Sequence, residues 1–108
     1  MKTLFERIIE GELPAERVYE NEHILVIKDI APQAPVHLLL ITKKAIPNLQ
    51  ALERSDYFLL GEIVETAKTL AREFGLEKGG YRLLVNNGYH AGQTVPHLHF
   101  HLLGGGYL

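Results

Sequence analysis

The chain contains no cysteine, carries little net charge and has no long apolar run. Without cysteine it forms neither a disulfide nor a thiolate metal site, a composition that suits a cytoplasmic protein. A formal net charge of −2 gives no broad attraction to nucleic acid or to an anionic membrane. Glu6 and Arg7 interrupt the first apolar residues, so we expect no signal peptide, and no segment reaches the length of a membrane span. We therefore predict a cytoplasmic protein that binds neither nucleic acid nor membranes.

The remaining composition is that of a small globular domain. The 108 residues are 46% hydrophobic and 22% charged, close to the values of soluble domains. A chain of this length buries roughly 60 to 70% of its unfolded surface on folding, which supports a single core. The sequence has no internal repeat, low-complexity tract or linker. We therefore expect one domain over residues 1–108.

Apolar spacing predicts two helices and five strands. A short amphipathic helix is expected over residues 3–10, where Gly11 and Pro14 end it. Apolar residues recur every three or four positions from Ser55 to Phe74, which predicts a long helix with Ser55 as its N-cap and Gly75 beyond its end. Strands are predicted at residues 17–20, 24–29, 36–42, 81–86 and 97–103. Together these elements predict an α+β fold, a five-stranded antiparallel sheet with one long and one short helix.

The most informative segment is the last predicted strand, which contains His97, His99 and His101. Alternate residues of a strand share one face, so the three imidazoles are expected on the same side of the sheet. Buried imidazoles need partners for their nitrogens, and neighbouring rings repel one another when charged. Burying this row of imidazoles therefore costs folding free energy, which indicates a functional site.

Three interpretations of the row remain open from residue chemistry alone. Zinc needs ligand atoms at about 2.0 to 2.1 Å, whereas the outer Cα atoms of the row lie about 13 Å apart. The first interpretation is therefore a zinc site made of two of the histidines and a third ligand from elsewhere. The second is an incidental arrangement without a function. The third is catalysis, in which a neutral imidazole attacks through Nε2 while an acceptor holds its Nδ1–H. His99 is the best candidate, because a protonated neighbour on either side would keep its ring neutral.

The residues resemble a known family. Segment 97–103 reads His-x-His-x-His-x-x, which is the signature of the histidine triad (HIT) superfamily. Residues 29–41, 85–88 and 92–95 resemble the corresponding segments of its nucleotide-binding (HINT) branch, and the similarity covers essentially the whole chain. The resemblance implies the same α+β sheet and a homodimer in which two subunits form one ten-stranded sheet.

The resemblance also implies an activity, the hydrolysis of purine nucleoside 5′-phosphoramidates at the P–N bond, or of aminoacyl-adenylates, with release of a nucleoside monophosphate. It makes His99 the nucleophile that forms a nucleotidyl-histidine intermediate, which water then hydrolyses. His101 would hydrogen-bond the phosphate or leaving group, His97 would orient the nucleophile, and His37 would complete the polar cluster. A dinucleoside polyphosphate hydrolase and a nucleotide-binding or scaffold protein with little turnover are the alternatives.

Nucleotide-binding residues follow from the same resemblance. Asp29 would accept hydrogen bonds from both ribose hydroxyls, and Ile30 would contact the base. Further contacts to ribose or phosphate are implied for Asn86, Gln93, Thr94 and Val95, beside His99 and His101. The glycine-bearing loop at residues 88–94 also offers backbone N–H groups to phosphate oxygens.

Three positions differ from those of bacterial relatives that hold structural zinc. Thr3 and Glu6 stand where such relatives carry a Cys-x-x-Cys pair, and Ala45 stands where they carry histidine. The resemblance therefore implies a protein without metal or other cofactor. Among the remaining histidines, His23 is expected to be an exposed turn residue. His90 lies in the glycine-bearing loop, and the sequence leaves open whether it lies near the substrate.

Overall fold

The computed structural model describes residues 1–108, which form an α+β fold. Two helices are present, α1 (Leu4–Ile9) and α2 (Phe58–Glu73), with strands β1 (Arg17–Glu20), β2 (Ile24–Lys28), β3 (Val36–Thr42), β4 (Tyr81–Leu84) and β5 (His99–Gly104). All neighbouring strands are antiparallel, in the order β1-β2-β3-β5-β4. The predicted five-stranded antiparallel sheet is confirmed, and β3 has the predicted bounds.

The central strand β3 is largely apolar because helices cover both faces of the sheet. One face packs against α2 through a cluster that includes Leu38, Leu40, Leu102, Ile63 and Leu70. The opposite face packs against α1 through a cluster that includes Phe5, Ile8, Leu25, Leu39 and Ile41. Burying each such side chain contributes roughly 1.5 to 3 kcal/mol. The two clusters fix which face each strand residue occupies.

Helix α2 begins later than predicted, and Ser55 is not its N-cap. Ser55 lies in a separate 3-10 turn, Arg54–Asp56, before the helix. Asp56 Oδ2 accepts a hydrogen bond from the Glu53 N–H at 3.1 Å, while Lys44 Nζ donates to Asp56 Oδ1 at 2.5 Å. This carboxylate fixes the chain before α2, so the Ser55 hydroxyl has no capping role. No helix in the structure has both the length and the apolar character needed to cross a bilayer.

The predicted last strand starts too early at His97. The His97 N–H donates to the Val95 carbonyl at 2.8 Å in a tight turn, and the Leu98 N–H donates to the Ile46 carbonyl at 2.6 Å. These bonds lie outside the ladder between β3 and β5, whose pairing begins at His99 opposite Ile41. His97 therefore precedes the strand. Two other strands end earlier than predicted. Strand β2 ends at Lys28 instead of residue 29, and β4 ends at Leu84 instead of residue 86.

Candidate functional site

Strand register brings three imidazoles together on the sheet face that α1 covers. His99 pairs with Ile41 and His101 pairs with Leu39, so His37, two residues before Leu39, is the diagonal neighbour of His101. The ring centroid of His101 lies 5.2 Å from that of His37 and 5.2 Å from that of His99. The three rings therefore form a continuous row across two strands.

His97 reaches the same face from the turn before β5, with only 1% of its surface exposed. Its Nε2 lies 2.6 Å from the carbonyl oxygen of Thr42, and its Nδ1 lies 3.3 Å from Thr3 Oγ1. The His97 carbonyl in turn accepts a hydrogen bond from His99 Nδ1–H at 2.7 Å. Although the strand prediction for His97 is wrong, its main chain does hold the neighbouring histidine.

The Nε2 lone pair of His99 is free of protein partners. Because Nδ1–H donates to the His97 carbonyl, the neutral ring keeps its lone pair on Nε2, for which the chain supplies no hydrogen-bond donor. The ring is buried and packs edge-on against Phe5, with 4.8 Å between centroids. Burial lowers the pKa of His99 below its ordinary 6.5, and repulsion from His97 adds to this shift. His99 is therefore neutral, with an available lone pair, near pH 7.

A chain of hydrogen bonds gives His101 the tautomer opposite to that of His99. The Gln33 N–H donates to His37 Nδ1 at 3.0 Å, so neutral His37 carries its proton on Nε2. His37 Nε2–H donates to His101 Nδ1 at 2.9 Å, which leaves His101 with its proton on Nε2. Burial, reinforced by repulsion from His99 and His37, lowers the pKa of His101 to about 4. His101 is thus a neutral N–H donor at pH 7, so repulsion from a protonated His101 is not what keeps His99 neutral.

Asp29 follows the end of β2 and lies beside this row. Its Oδ1 accepts a hydrogen bond from the Ala31 N–H at 2.8 Å, and its Oδ2 lies 3.5 Å from His37 Nε2. The Asp29 N–H donates to the His37 carbonyl at 3.0 Å. Each carboxylate oxygen has more than one acceptor position, so both can accept further hydrogen bonds.

A cleft of about 430 Å³ opens beside the histidines and has two chemically different parts. Its apolar part is lined by residues that include Phe5, Ile8, Leu13, Ile27 and Leu39. Its polar part contains Asp29, Thr94, His99 and His101. A second cleft of about 410 Å³ lies between the C-terminal end of α2 and the end of β5, and five of its seven lining residues are glycines. Of these two clefts, the first therefore contains the imidazoles and the carboxylate.

Gln93 uses its side-chain amide within the protein. Its Oε1 accepts a hydrogen bond from the Gly88 N–H at 2.8 Å, and its Nε2 donates to the carbonyls of Pro47 at 2.7 Å and Val95 at 3.1 Å. These bonds close the glycine-bearing loop and join it to the segment after β3. Thr94 and Val95 line the cleft directly, whereas Gln93 holds the loop that presents them.

Other predicted site residues lie away from the cleft or at its rim. Asn86 is half-buried, does not line the cleft and makes no side-chain hydrogen bond. His90 is exposed beside Tyr89 and also lies outside the cleft lining. His23 is half-buried against Phe58, with 5.0 Å between ring centroids, so the prediction of an exposed residue is wrong. Ile30 stands at the rim of the cleft and is almost fully exposed.

Sequence reasoning missed two contributors to the site. The Gln33 backbone N–H fixes the His37 tautomer, and the Thr3 hydroxyl contacts His97. Neither has a sequence signal, because each contact depends on how the strands and α1 come together.

One group of side chains has the spacing of metal ligands. The ligand atoms of Asp29, His37 and His101 lie within 4.8 Å of one another. His97 and His99 do not belong to this group, so it differs from a zinc site along the predicted row.

Thr3 and Glu6, which stand where some relatives carry a Cys-x-x-Cys pair, form a reciprocal capping box at the start of α1.

Comparisons with known proteins identify similar chains. Residues 10–107 match the HIT domain family. A HIT-like protein of Chlamydia trachomatis is 55% identical over 108 residues, which cover 100% of this chain and 96% of the relative. A solved structure of a HIT family hydrolase from Legionella pneumophila has a TM-score of 0.95 at 46% identity, covering 98% of this chain and 95% of that chain. A HIT family hydrolase from Clostridium thermocellum also gives a TM-score of 0.95, at 45% identity, with 98% and 92% covered.

Proposed function

Because the chain belongs to the HIT domain family, we propose that it is a hydrolase of the nucleotide-binding branch, acting on purine nucleoside 5′-phosphoramidates at the P–N bond. Aminoacyl-adenylates present a similar phosphorus centre and are included in the proposal. Support comes from the solved HIT family hydrolases that the structure resembles and from the chemistry of the imidazole row.

The observation that carries the proposal is the pair of opposite tautomers on adjacent rings. His99 offers a lone pair on Nε2, whereas His101 offers a proton on Nε2. Their ring centroids lie 5.2 Å apart, so both can act on one phosphorus centre. A nucleophile beside a hydrogen-bond donor suits displacement at phosphorus, because the donor stabilises a phosphoryl oxygen or the leaving group.

The proposed reaction has two steps at the α-phosphorus. In the first, His99 Nε2 forms a bond to phosphorus as the P–N bond breaks, and the leaving amine takes up a proton from solvent. In the second, water attacks the nucleotidyl-histidine, the N–P bond to His99 breaks, and a nucleoside monophosphate and a proton are released. The His97 carbonyl stays bonded to His99 Nδ1–H and stabilises the positive charge that the attacking ring acquires.

We propose that the cleft holds the nucleotide along its length. The base would lie in the apolar part, between Phe5, Ile8 and Ile27, with Ile30 at its edge. These side chains offer no hydrogen-bonding groups to a base, so either purine is accepted. Asp29 would bind the ribose hydroxyls.

The phosphate end of the cleft is assigned to the glycine-bearing loop. Thr94 and Val95 would bind the phosphate beside His101, and Gln93 would act by holding the loop. A contact from Asn86 stays a prediction.

Charge in the cleft favours a phosphoramidate over a dinucleoside polyphosphate. Asp29 contributes a negative charge, and His99 and His101 are neutral at pH 7 because their pKa values are lowered. Lys28 is the cation in the lining, and its Nζ is paired with Glu16 at 2.6 Å. A polyphosphate chain with several negative charges therefore meets little positive charge in the cleft to stabilise it.

We also propose a homodimer formed through β4. This strand is at an edge of the sheet, with β5 on one side only. An exposed edge offers unpaired N–H and C=O groups, and pairing around a two-fold axis would continue the sheet to ten strands.

A substrate comparison tests the proposed function. Release of AMP from adenosine 5′-phosphoramidate and from diadenosine polyphosphates is measured with the same enzyme preparation. We expect a higher kcat/KM for the phosphoramidate than for the polyphosphates. A preference for the polyphosphates would overturn the substrate assignment, and no turnover of either would favour a binding protein.

A further inference from the structure

Helix α1 contacts the histidine row through Thr3, the residue that caps its first turn. Thr3 Oγ1 accepts a hydrogen bond from the Glu6 N–H at 3.2 Å, and Glu6 Oε1 accepts one from the Thr3 N–H at 3.0 Å. The same hydroxyl oxygen lies 3.3 Å from His97 Nδ1. A single side chain thus closes the start of α1 and contacts the residue whose carbonyl holds His99.

The other nitrogen of His97 fixes the direction of this contact. Nε2 lies 2.6 Å from the Thr42 carbonyl oxygen, which can only accept, so Nε2 carries the ring proton. In the neutral ring, Nδ1 is then an acceptor, and the Thr3 hydroxyl is its donor. Because His97 is 1% exposed, water does not readily replace this donor.

Helix α1 also packs directly on the histidines. The Phe5 ring meets those of His97 and His99 edge-on, with centroid distances of 6.0 and 4.8 Å. Phe5 and Ile8 line the cleft, whereas Thr3 does not. The first turn of α1 therefore joins the wall of the cleft to the support of the nucleophile.

We propose that Thr3 is a positioning residue for hydrolysis. Its hydroxyl donates to Nδ1 and fixes the position of the His97 ring, whose tautomer the Thr42 carbonyl sets, and the His97 carbonyl then orients His99 through Nδ1–H. The effect on rate rests on the proposed function, whereas the hydrogen bond from Thr3 to His97 Nδ1 is a property of the resting protein. Because Thr3 lies outside the cleft lining, its loss acts on the chemical step and not on substrate binding.

The test uses three variants that separate the hydroxyl from the stability of α1. Thr3→Val removes the hydroxyl at nearly constant shape, and Thr3→Ser restores it. Glu6→Ala weakens the same helix end but leaves the hydroxyl in place. Turnover of adenosine 5′-phosphoramidate is measured for each, and the ring nitrogens of His97 are observed by ¹⁵N NMR.

We expect Thr3→Val to lower kcat about fivefold, the effect of one net hydrogen bond, with KM unchanged. Thr3→Ser and Glu6→Ala should keep the parental kcat. In Thr3→Val, His97 Nδ1 should shift to the resonance of a nitrogen without a donor, while Nε2 stays protonated.

Two results would overturn the proposal. One is a His97 ring with its proton on Nδ1 in the parent protein. The other is an equal loss of kcat in Thr3→Val and Glu6→Ala, which would assign the effect to the helix end alone. If the parent does not hydrolyse the phosphoramidate, the proposed function fails, and the NMR comparison still decides whether the Thr3 hydroxyl donates to His97 Nδ1.

Discussion

His37 Nε2 lies 2.9 Å from His101 Nδ1, a contact that joins the central strands β3 and β5. Because the Gln33 N–H occupies His37 Nδ1, the proton between the two rings belongs to His37. His101 is left with its own proton on Nε2. A residue of β3 thus decides what a residue of β5 offers to a substrate.

Removing this partner should slow the reaction. We expect His37→Phe to lower kcat about tenfold, which corresponds to roughly 1.4 kcal/mol of transition-state stabilisation. The free energy of unfolding should fall by about 1 to 3 kcal/mol, because the Gln33 N–H loses its acceptor. Steady-state kinetics and urea unfolding measure the two effects, with the exposed loop variant His90→Phe as the control. Parental kcat in His37→Phe would show that His101 needs no orienting partner.

Activity should persist below neutral pH. His99 attacks only when neutral, and burial lowers its pKa below 6.5. We therefore expect the acid limb of kcat/KM, which reports ionisation of the free enzyme, to have its midpoint below pH 6.5. A pH–rate profile measures this, and an acid limb with its midpoint at or above 6.5 would contradict it.

Stability should depend on pH through the same two imidazoles. His99 and His101 have folded-state pKa values below 6.5, with that of His101 at about 4, so the unfolded chain binds their protons more readily. Their contribution is fully present above pH 6.5 and is lost as pH falls toward 4. We expect Tm to decrease across this window, and less steeply in His101→Asn than in the exposed control His90→Asn. Equal slopes in the two variants would refute the assignment to His101.

Gln93 should act through the loop that it closes. Gln93→Glu keeps the acceptor for the Gly88 N–H but loses the donors to the Pro47 and Val95 carbonyls. We expect a loss of about 0.5 to 1.5 kcal/mol in the free energy of unfolding, the net effect of a hydrogen bond at a partly exposed site, together with a higher KM. Urea unfolding and kinetics are compared with Gln50→Glu, an exposed glutamine. A higher KM with unchanged stability would indicate a direct contact with the substrate.

Patterns within a single element predicted much of the fold. The apolar run from Val36 to Thr42 gave the bounds of β3, and alternation at His99 and His101 placed both rings on one face. Both signals depend on the two-residue period of a strand, which local sequence carries by itself. Gly75 follows α2 with φ of +71°, as its lack of a Cβ predicts.

Features that depend on partners distant in sequence were not predictable in this way. His97 leaves the strand because Leu98 bonds to Ile46, and Ser55 loses its capping role to the Asp56 carboxylate. The neutral state of His101 follows from its burial and its neighbours, which a sequence does not display. These differences concern hydrogen-bond competition and desolvation, and both are set by the assembled structure.

The most direct test of the account is to trap the covalent intermediate. The enzyme is mixed with adenosine 5′-phosphoramidate, quenched at alkaline pH and analysed by mass spectrometry of its peptides. We expect an adenylyl group on His99, and loss of both the adduct and AMP release in His99→Ala. An adduct on another residue, or parental turnover by His99→Ala, would contradict it.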